Sequence, residues 1–410
     1  MRRQARKRRC CLVVAAAALI ATSCGSEANE SAPTTTRAPV TSAEPAATSD
    51  TIAGLTTAQR VDLAPTGNRV IEGVGALFTT DPIIVELPGD RSAAWIVPSG
   101  DSEWTVMLDD GAIVSISVDG NAASTSVVDA PPFDSGAGPL LIVEGELTTF
   151  DSARALFADP LTDTRVTSDG SQLVALGGPT ERYGHAVLGD AIEASTIEVI
   201  DADGTRRTPV SITAPDVFEA VSPMLADVNG DSVVEAVMTV SNSDGGARLV
   251  AYDLDTGSVV AESDPIGLGN RWRNLLAVAP VGPAGELEAI DIRTPHIGGT
   301  LQFFQVVDGR FELTASADTY STHRIGSRNL DLGIVTDANG DGTLDVLLPN
   351  QDMNELVAIT RDDTVEGGTR EVGRLRLDAG ASTNIAATAR GNGVAYAVGL
   401  RDGTLRIWPA

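Results

Sequence analysis

Residues 335–347 read VTDANGDGTLDVL, and three other segments of the chain repeat this stretch in outline. LADVNGDSVVEAV (225–237), VAPVGPAGELEAI (278–290) and AATARGNGVAYAV (386–398) align with it without gaps. The third positions of the four segments follow one another at spacings of 53, 57 and 51 residues. A unit of that length holds four short strands, which is the size of one β-propeller blade. The repeat therefore predicts a radial all-β fold.

The rest of the chain supports the same fold class. Short runs rich in Val, Ile, Leu and Thr alternate with turns, and no stretch shows sustained helical periodicity. Asp-Gly between such runs is a strong hairpin signal, because glycine accepts the positive φ of a tight turn. We expect residues 53–410 to form a β-propeller of six or seven four-stranded blades, with seven favoured. The Asp-Gly turns are Asp110–Gly111, Asp119–Gly120, Asp203–Gly204, Asp308–Gly309 and Asp402–Gly403.

The C-terminal unit leaves room for only about three strands, since the chain ends shortly after Gly403–Trp408. A propeller commonly completes its last sheet with a strand from the other end of the chain, which removes exposed strand edges. We expect that strand within Arg69–Glu86. The alternative is a last blade that is simply truncated.

Two of the repeated segments carry oxygen-bearing side chains at loop positions one, three, five and nine. Calcium prefers six to eight oxygen ligands, and a tight loop with glycine lets alternate residues converge on one point. We expect one or two structural Ca²⁺ ions, although the same pattern also forms a polar turn without an ion. The candidate ligands are Asp227, Asn229, Asp231, Glu235 and the Val233 carbonyl in one loop, and Asp337, Asn339, Asp341, Asp345 and the Thr343 carbonyl in the other.

These loops resemble the FG-GAP and VCBS-type repeats of extracellular β-propellers, including the integrin-α-like calcium loops. The resemblance implies that calcium binds between the first two strands of a blade. Loop 337–345 matches the family pattern fully, whereas loop 227–235 has Ser232 where the pattern prefers glycine, so we expect weaker binding there. The aligned loops with Pro280 and Thr388 at the first position lack the ligands and are expected to be metal-free.

The N-terminus has the charge profile of a signal peptide. Six basic residues within Arg2–Arg9 precede the apolar run Cys10–Ala21, which is shorter than the roughly 20 residues that span a bilayer. The small residues before Cys24 resemble a bacterial lipoprotein box, although Ala21 stands where the family usually has Leu. We expect residues 1–23 to be removed and Cys24 to carry a lipid. The alternatives are an ordinary signal peptide and an uncleaved anchor.

Residues 24–52 are expected to form a disordered tether after the lipidated cysteine. The segment consists mainly of Ser, Thr, Ala, Pro and Glu, and it has too little apolar surface to offset its conformational entropy on folding. The propeller would then be held at the outer face of the cell membrane, on its extracellular or periplasmic side.

Composition excludes several functions for the exported body. Cysteine occurs only at Cys10, Cys11 and Cys24, so the body beyond the leader has no internal disulfide and no thiol chemistry. Removing the six basic residues of the leader changes the formal net charge from −27 to −33. A body this acidic repels nucleic acid, so we expect no nucleic-acid partner. We expect a monomer.

Histidines, arginines and asparagines near strand starts are the remaining candidates for ligand binding. In a propeller such positions from different blades converge on one face, and arginines stand out in an acidic protein. Inter-blade ion pairs and turn caps would explain the same residues without a ligand. The candidates are Arg182, His185, Arg273, Asn274, His296, His323, Arg324, Arg328, Asn329 and Asn384.

No motif for nucleophilic or metal-dependent hydrolysis is found in the sequence. We therefore expect a non-catalytic surface module that binds an extracellular protein, a glycan or an envelope component. The alternative is an extracellular hydrolase or lyase with its site on the axial face. A purely structural envelope component is a third possibility.

Overall fold

The computed structural model describes most of the predicted propeller. The described residues are 55–100, 102–129, 140–143, 146–269 and 271–410; the side chains of 140–143 and 146–152 are not described. All of them belong to the second of two compact units, Ala47–Ala410. The predicted signal peptide, the lipidation of Cys24 and the tether 24–52 lie outside the described residues.

One short α-helix, α1 (Thr57–Leu63), precedes the strands. Thr56 and Gln59 form a capping box: the Thr56 side chain accepts the Gln59 amide at 3.2 Å, and the Gln59 side chain accepts the Thr56 amide at 2.8 Å. Seven residues are too few to show helical periodicity, which explains why the sequence analysis missed this helix. No helix among the described residues is long and apolar enough to cross a membrane. Two 3-10 helices lie at Phe150–Leu156 and Glu366–Gly368.

The remaining elements are strands, so the predicted all-β class is confirmed. In the N-terminal half, β3 to β6 form one four-stranded sheet, β7 and β8 a hairpin, and β9 to β12 a second four-stranded sheet. The strands of this half are β1 (Val70–Gly75), β2 (Ile83–Glu86), β3 (Ala93–Gly100), β4 (Glu103–Leu108), β5 (Ile113–Asp119), β6 (Ala122–Val128), β7 (Leu140–Val143), β8 (Glu146–Thr149), β9 (Thr167–Ser168), β10 (Gln172–Gly177), β11 (Thr196–Asp201) and β12 (Val210–Ser211).

In the C-terminal half, the consecutive antiparallel groups are β14 to β17, β18 to β21, β22 to β25 and β26 to β28. The strands of this half are β13 (Val217–Phe218), β14 (Met224–Ala226), β15 (Glu235–Ser241), β16 (Arg248–Asp253), β17 (Val259–Glu262), β18 (Arg273–Ala279), β19 (Glu288–Arg293), β20 (Thr300–Val307), β21 (Arg310–Asp318), β22 (Ile334–Asp337), β23 (Asp345–Pro349), β24 (Glu355–Arg361), β25 (Thr369–Arg376), β26 (Ala386–Arg390), β27 (Gly393–Gly399) and β28 (Thr404–Trp408).

The four repeated segments are equivalent in the structure. Each one forms the first hairpin of a group, namely β14–β15, β18–β19, β22–β23 and β26–β27. The five Asp-Gly turns each connect two paired strands, and all five glycines have positive φ, from 58° at Gly120 to 90° at Gly204. The hairpin prediction is therefore confirmed at each of these turns.

The last sheet is completed from the other end of the chain, as predicted. β2 lies within Arg69–Glu86 and pairs antiparallel with β28, from Ile83 opposite Ile407 to Glu86 opposite Thr404. A second N-terminal strand was not predicted: β1 pairs in parallel with both β22 and β27, and so joins two neighbouring groups of strands.

The core consists of apolar layers between neighbouring sheets. Leu276 and Ile290 pack with Val346 and Val357 of the next group, while Ile96 packs with Ile407 of the last sheet. Burying one large apolar side chain contributes about 1.5–3 kcal/mol. Because successive sheets face one another and the last faces the first described sheet, the fold is propeller-like.

Candidate functional site

Loop 337–345 connects the end of β22 to the start of β23, and its side chains fold back onto its own backbone. The Asp337 carboxylate accepts the amides of Gly340 at 2.7 Å and Gly342 at 3.0 Å. Asp341 in turn accepts the Thr343 amide at 2.9 Å. Both glycines have positive φ, 82° and 87°, which permits the tight curvature that brings these oxygens inward.

Asp345 closes this loop with a buried carboxylate. Its Oδ2 accepts the Ala338 amide at 3.2 Å, while its Oδ1 has no hydrogen-bond partner among the described residues. Burial raises the pKa of Asp345 to about 7, and the charges of Asp341 and Asp337 act in the same direction. A buried carboxylate oxygen without a partner is costly unless a donor or a cation satisfies it.

Loop 227–235 has the same arrangement. Asp227 accepts the amides of Gly230 at 2.7 Å and Ser232 at 2.9 Å, and Asp231 accepts the Val233 amide at 2.8 Å. Ser232 has a φ of 70°, which disfavours a residue with a side chain at the position occupied by Gly342 in the other loop. At the ninth position Glu235 is buried, and burial raises its pKa.

The oxygen donors fit the chemistry of calcium, but their side chains do not already surround a common point. Among the described residues, no three His, Cys, Asp or Glu side chains converge as a metal cluster. In both loops the first and fifth carboxylates accept loop amides, and Asn339 and Asn229 each donate to the fifth-position aspartate at 3.0 Å. Loop 337–345 fits an ion better than loop 227–235. Of the two ninth-position carboxylates, only that of Asp345 has a buried oxygen without a hydrogen-bond partner among the described residues.

The sheets present two opposite edges, which we name by their residues. The acidic-loop face carries loops 227–234 and 338–344, the connections between first and second strands, and the 203–204 turn. The histidine face carries loops 178–195, 294–299 and 319–333, which connect second to third strands or lead into the next group. Direct contacts join the loops of this second face: Gly326 donates to the Val187 carbonyl at 2.9 Å.

The structure brings the three predicted histidines to the histidine face, around Trp272. The His296 ring stacks on Trp272 at 6.2 Å between centroids, and His323 meets the same ring edge-on at 4.9 Å. His296 Nε2 lies 2.6 Å from His323 Nδ1, and His323 Nε2 lies 2.5 Å from the Ser327 carbonyl oxygen.

These contacts fix the tautomers of both rings. A carbonyl oxygen only accepts, so His323 donates through Nε2 and accepts through Nδ1; His296 therefore donates through Nε2. Burial lowers the pKa of His323 to about 3 and that of His296 to about 4, which keeps both rings neutral at pH 7. Nδ1 of His296 is left as a lone-pair acceptor.

His185 belongs to a second polar group beside this pair. Its Nδ1 lies 2.5 Å from Glu219 Oε1, and the Ser241 hydroxyl donates to Oε2 of the same carboxyl group. Burial raises the pKa of Glu219, against the lowering effect of His185. The Trp272 indole donates to the Glu219 carbonyl at 3.0 Å, so both histidine groups share one aromatic centre.

Three ionisable groups around His185 were not predicted from the sequence: Glu193, Tyr183 and Glu219. Glu193 is only 1% exposed, and burial together with Glu219 raises its pKa to about 9. Burial also raises the pKa of Tyr183, whose hydroxyl is buried without a partner among the described residues. No motif identifies Glu193 or Glu219, because they lie 26 residues apart on irregular segments. The Tyr183–His185 proximity was the only signal available.

The predicted arginines bind groups of this chain. Arg273 pairs with Asp291 at 2.5 Å in the core, and Arg328 pairs with Asp163 at 3.0 Å. Arg328 also pairs with Asp190, while Arg182 and Arg324 donate to backbone carbonyls. Arg328 thus forms ion pairs with residues outside its own group of strands, whereas the Arg273–Asp291 pair lies between β18 and β19 of one sheet.

The three predicted asparagines also make structural contacts. Asn384 clamps β3 of the neighbouring sheet: it accepts the Ile96 amide at 3.0 Å and donates to the Ile96 carbonyl at 2.8 Å. Asn274 donates to Thr322 at 2.7 Å in the connection to the next group. Asn329 accepts the Asp331 amide at 3.1 Å. Asn274 and Asn384 therefore link neighbouring groups of strands.

Comparisons with known proteins give no family for this chain. No protein-family model matches it, and no curated protein matches it. Among solved structures, it is similar to the one described as "Crystal structure of BBS1N in complex with ARL6DN, soaked with mercury". The identity is 10% and the TM-score 0.47, and the alignment covers 82% of this chain and 97% of that chain.

Proposed function

We propose that this protein is exported, anchored by a lipid on Cys24, and acts at the outer face of the cell membrane as a non-catalytic binding module. One observation supports this most directly: the described N-terminal end and the histidine face lie on opposite edges of the sheets. Helix α1 packs Val61 against Leu173 and Ile200, and Thr57 lies beside Gly204 in a turn of the acidic-loop face. The described chain therefore begins at the edge opposite the histidine face, and we propose the histidine face as the surface that meets a partner.

We propose seven blades for the body. Six groups of four strands are described, counting β2 as the fourth strand of the last group. The hairpin β7–β8 lies between two of them in the chain and would supply the seventh. The repeat length predicted six or seven blades, with seven favoured.

Calcium is proposed as a structural ion in loop 337–345, and more weakly in loop 227–235. Asp337, Asp341 and Asp345 would hold the first ion together with Asn339 and the Thr343 carbonyl. When bound, the ion supplies positive charge that neutralises carboxylates at the junction of two strands. Because it binds only the folded loop, it stabilises the fold by mass action.

The histidine face has the exposed surface that a protein partner requires. The two most exposed large apolar side chains of the described chain lie on its loops: Ile297 at 82% and Ile325 at 73%. The hydrogen bond between His296 and His323 joins these two loops. Clustered exposed apolar residues mark interaction surfaces more often than isolated ones do.

A hydrolase or lyase is the second candidate, and the His185–Glu219 pair is what favours it. A carboxylate that orients an imidazole is typical of a general base. However, the Ser241 hydroxyl donates to Glu219 rather than to a ring nitrogen. Among the described residues no side-chain hydroxyl or thiol is hydrogen-bonded to a histidine ring, so a water molecule would have to act as nucleophile.

Site-specific photo-crosslinking on intact cells tests the binding function. A photoreactive side chain at Ile325 or Ile297 should give one discrete adduct in the cell envelope. Val259 is the matched control, because it is 51% exposed but lies on the outer strand β17. Similar adducts from all three positions, or none from Ile325 and Ile297, would contradict a binding surface here.

Activity screening distinguishes the enzymatic alternative from the binding function. We expect no turnover of glycan, ester or peptide substrates by the purified protein. Turnover that Glu219→Gln removes, while crosslinking at Ile325 is unchanged, would replace the binding function with the enzymatic one.

A further inference from the structure

A cavity of about 220 Å³ lies between the inner strands, and Asp331 of the histidine-face loop 319–333 forms part of its wall. Segment 65–69, which follows α1, forms part of its lining, as do β1 and strands of four groups, namely β3, β9, β22 and β26. Its walls are largely apolar: Ile71, Ile96, Val97, Val166, Ile334 and Ala387. An empty apolar cavity of about 150 Å³ already accepts a molecule the size of benzene, so this volume suits a small organic ligand.

The charges of the residues that line the cavity do not sum to zero. Three charged side chains line it, namely Arg69, Arg165 and Asp331, so the wall carries one excess positive charge. Both guanidinium groups approach the same oxygen, Asp331 Oδ2, with Arg165 at 3.1 Å and Arg69 at 3.7 Å. Only the shorter contact is within hydrogen-bond range. An excess cation in a chain of net charge −27 is a local exception.

The two arginines are held rigidly in place. The Arg165 guanidinium stacks on Trp95 at 4.6 Å and donates to the Arg328 carbonyl at 2.6 Å. Arg69 donates to the Gly333 carbonyl at 3.1 Å and to the Ile385 carbonyl at 2.6 Å. Arg69 Nη1, in contrast, makes no hydrogen bond among the described residues beyond its 3.7 Å approach to Asp331. Burial and, to a smaller extent, the neighbouring Arg165 lower the pKa of Arg69, against the raising effect of Asp331.

The residues that line the cavity differ in exposure. Pro65 and Pro98 are exposed, whereas Arg165 is 9% exposed and the Arg69 side chain is 23% exposed. The site therefore combines hydrocarbon-compatible walls with two partly shielded guanidinium groups.

We propose that this cavity binds a small amphipathic monocarboxylate, with its carboxylate on Arg69 and Arg165 and its hydrocarbon part along the walls of Ile71, Ile96 and Ile334. The carboxylate would neutralise the excess charge and accept from the free Nη1 of Arg69. The apolar walls select against a fully hydrated anion such as phosphate, and the excess cation selects against a neutral chain.

Calorimetric titration of the purified full-length chain, free of detergent, tests this site with three probes. Octanoate should bind with one site per chain, and 1-octanol and inorganic phosphate should each bind at least tenfold more weakly. Binding of phosphate as strong as that of octanoate would overturn the amphipathic class. Equal binding of 1-octanol would overturn the role of the arginines. Absence of octanoate binding would overturn the proposal.

Variants locate the binding. Ala387→Leu places extra volume in the cavity and should weaken octanoate binding at least tenfold, whereas Ala122→Leu on the exposed edge strand β6 should not. Arg69→Gln should reduce the preference for octanoate over 1-octanol. If Ala387→Leu melts below wild type, Ile71→Phe replaces it as the filling variant. Unchanged octanoate affinity in a folded filling variant would place the binding elsewhere.

Discussion

The buried carboxylate of Asp345 makes calcium dependence testable at a single side chain. We predict that calcium raises the melting temperature of the purified protein and that a chelator reverses the rise. An ion present at a hundred times its Kd stabilises a fold by about 2.7 kcal/mol. Asp345→Asn keeps the side-chain shape but removes the charge, so it should remove most of the calcium-dependent shift.

Asp352→Asn is the matched control, because Asp352 is exposed outside the loop in the same group of strands. Its melting temperature should respond to calcium as the wild type does. Calorimetry with and without calcium measures all three proteins. A calcium shift of equal size in Asp345→Asn and wild type would exclude loop 337–345 as the stabilising site.

Glu193 predicts a pH dependence of stability. Its folded pKa of about 9 lies above the usual 4.5, so the folded state keeps a proton that the unfolded state releases. Stability from this group is therefore fully present below about pH 4.5 and is lost as the pH rises towards 9. Each pKa unit corresponds to about 1.4 kcal/mol, which allows a loss of up to about 4 kcal/mol between pH 5 and 8.

Glu193→Gln removes this titration and should be less sensitive to alkaline pH than the wild type. Charged and titratable neighbours remain in both proteins, so the difference in unfolding free energy between them isolates Glu193. Chemical denaturation at pH 5, 6.5 and 8 measures it, with exposed Glu181→Gln as control. Parallel pH profiles for wild type and Glu193→Gln would contradict the prediction. The neighbours are Glu219, Tyr183, Asp163, Asp190, His185 and Arg328.

Individual residues show where sequence reasoning reaches its limit. The loop oxygens of 337–345 could be named from spacing alone, because a local loop determines its own geometry. Asn384 also stood out from the sequence, but only its contact with Ile96, 288 residues away, reveals a clamp. Glu219 could not be found, since its role depends on the packing of Trp272 and His185 around it.

Strand β1 depends on a close backbone approach at Gly75. A Cβ at this position would lie 2.1 Å from the Asp337 carbonyl oxygen and 2.4 Å from the Tyr396 hydroxyl. We predict that Gly75→Ala displaces β1 from β22 and β27 and lowers the unfolding free energy by about 1–3 kcal/mol, the usual cost of overpacking.

Gly184→Ala is the matched control for this substitution. A Cβ at Gly184 meets nothing within 4 Å, and neither glycine has a positive φ. The difference in unfolding free energy between the two variants, measured by urea denaturation, therefore reports the steric clash at Gly75 alone. Equal stability of Gly75→Ala and Gly184→Ala would show that β1 is not fitted closely against its two neighbours.

The strands differ in how far local sequence determines them. The hairpins followed from Asp-Gly turns and alternating residues, which are local signals. β2 was predicted because the C-terminal unit leaves room for only about three strands and a blade has four. β1 could not be predicted, because its partners Val335 and Val394 are hundreds of residues away and its own sequence resembles any short strand.

The 51–57-residue repeat predicted the C-terminal groups well, because similar segments occupy equivalent hairpins. It did not place β3 to β12, where no segment repeats the pattern. It also gave no indication that the chain between α1 and β1 connects the groups, since such a role needs only well-placed backbone groups. The sequence therefore does not reveal which backbone contacts connect the groups of strands.

Segment 65–69 is hydrogen-bonded to the inner strands of successive groups. We therefore expect the stability of the whole body to depend on it. The Pro65 carbonyl accepts from Ser168 at 2.8 Å, the Thr66 carbonyl from Leu225 at 2.9 Å and the Arg69 carbonyl from Val335 at 2.8 Å. The Asn68 side chain bonds both ways with the Val278 backbone, at 2.7 and 3.0 Å. At about 1 kcal/mol for each hydrogen bond, these contacts stabilise the body by roughly 5 kcal/mol.

Two truncations separate this segment from the proposed tether. A chain of residues 55–410 should melt cooperatively at the temperature of the full-length protein, because the sequence predicts a disordered tether at residues 24–52. A chain of residues 70–410 loses α1 and the connecting segment, and it should melt well below that temperature and less cooperatively. Scanning calorimetry and limited proteolysis measure both. Equal melting of the two truncations would mean that the sheets hold together without segment 65–69, whereas instability of 55–410 would show that residues before 55 are part of the folded body.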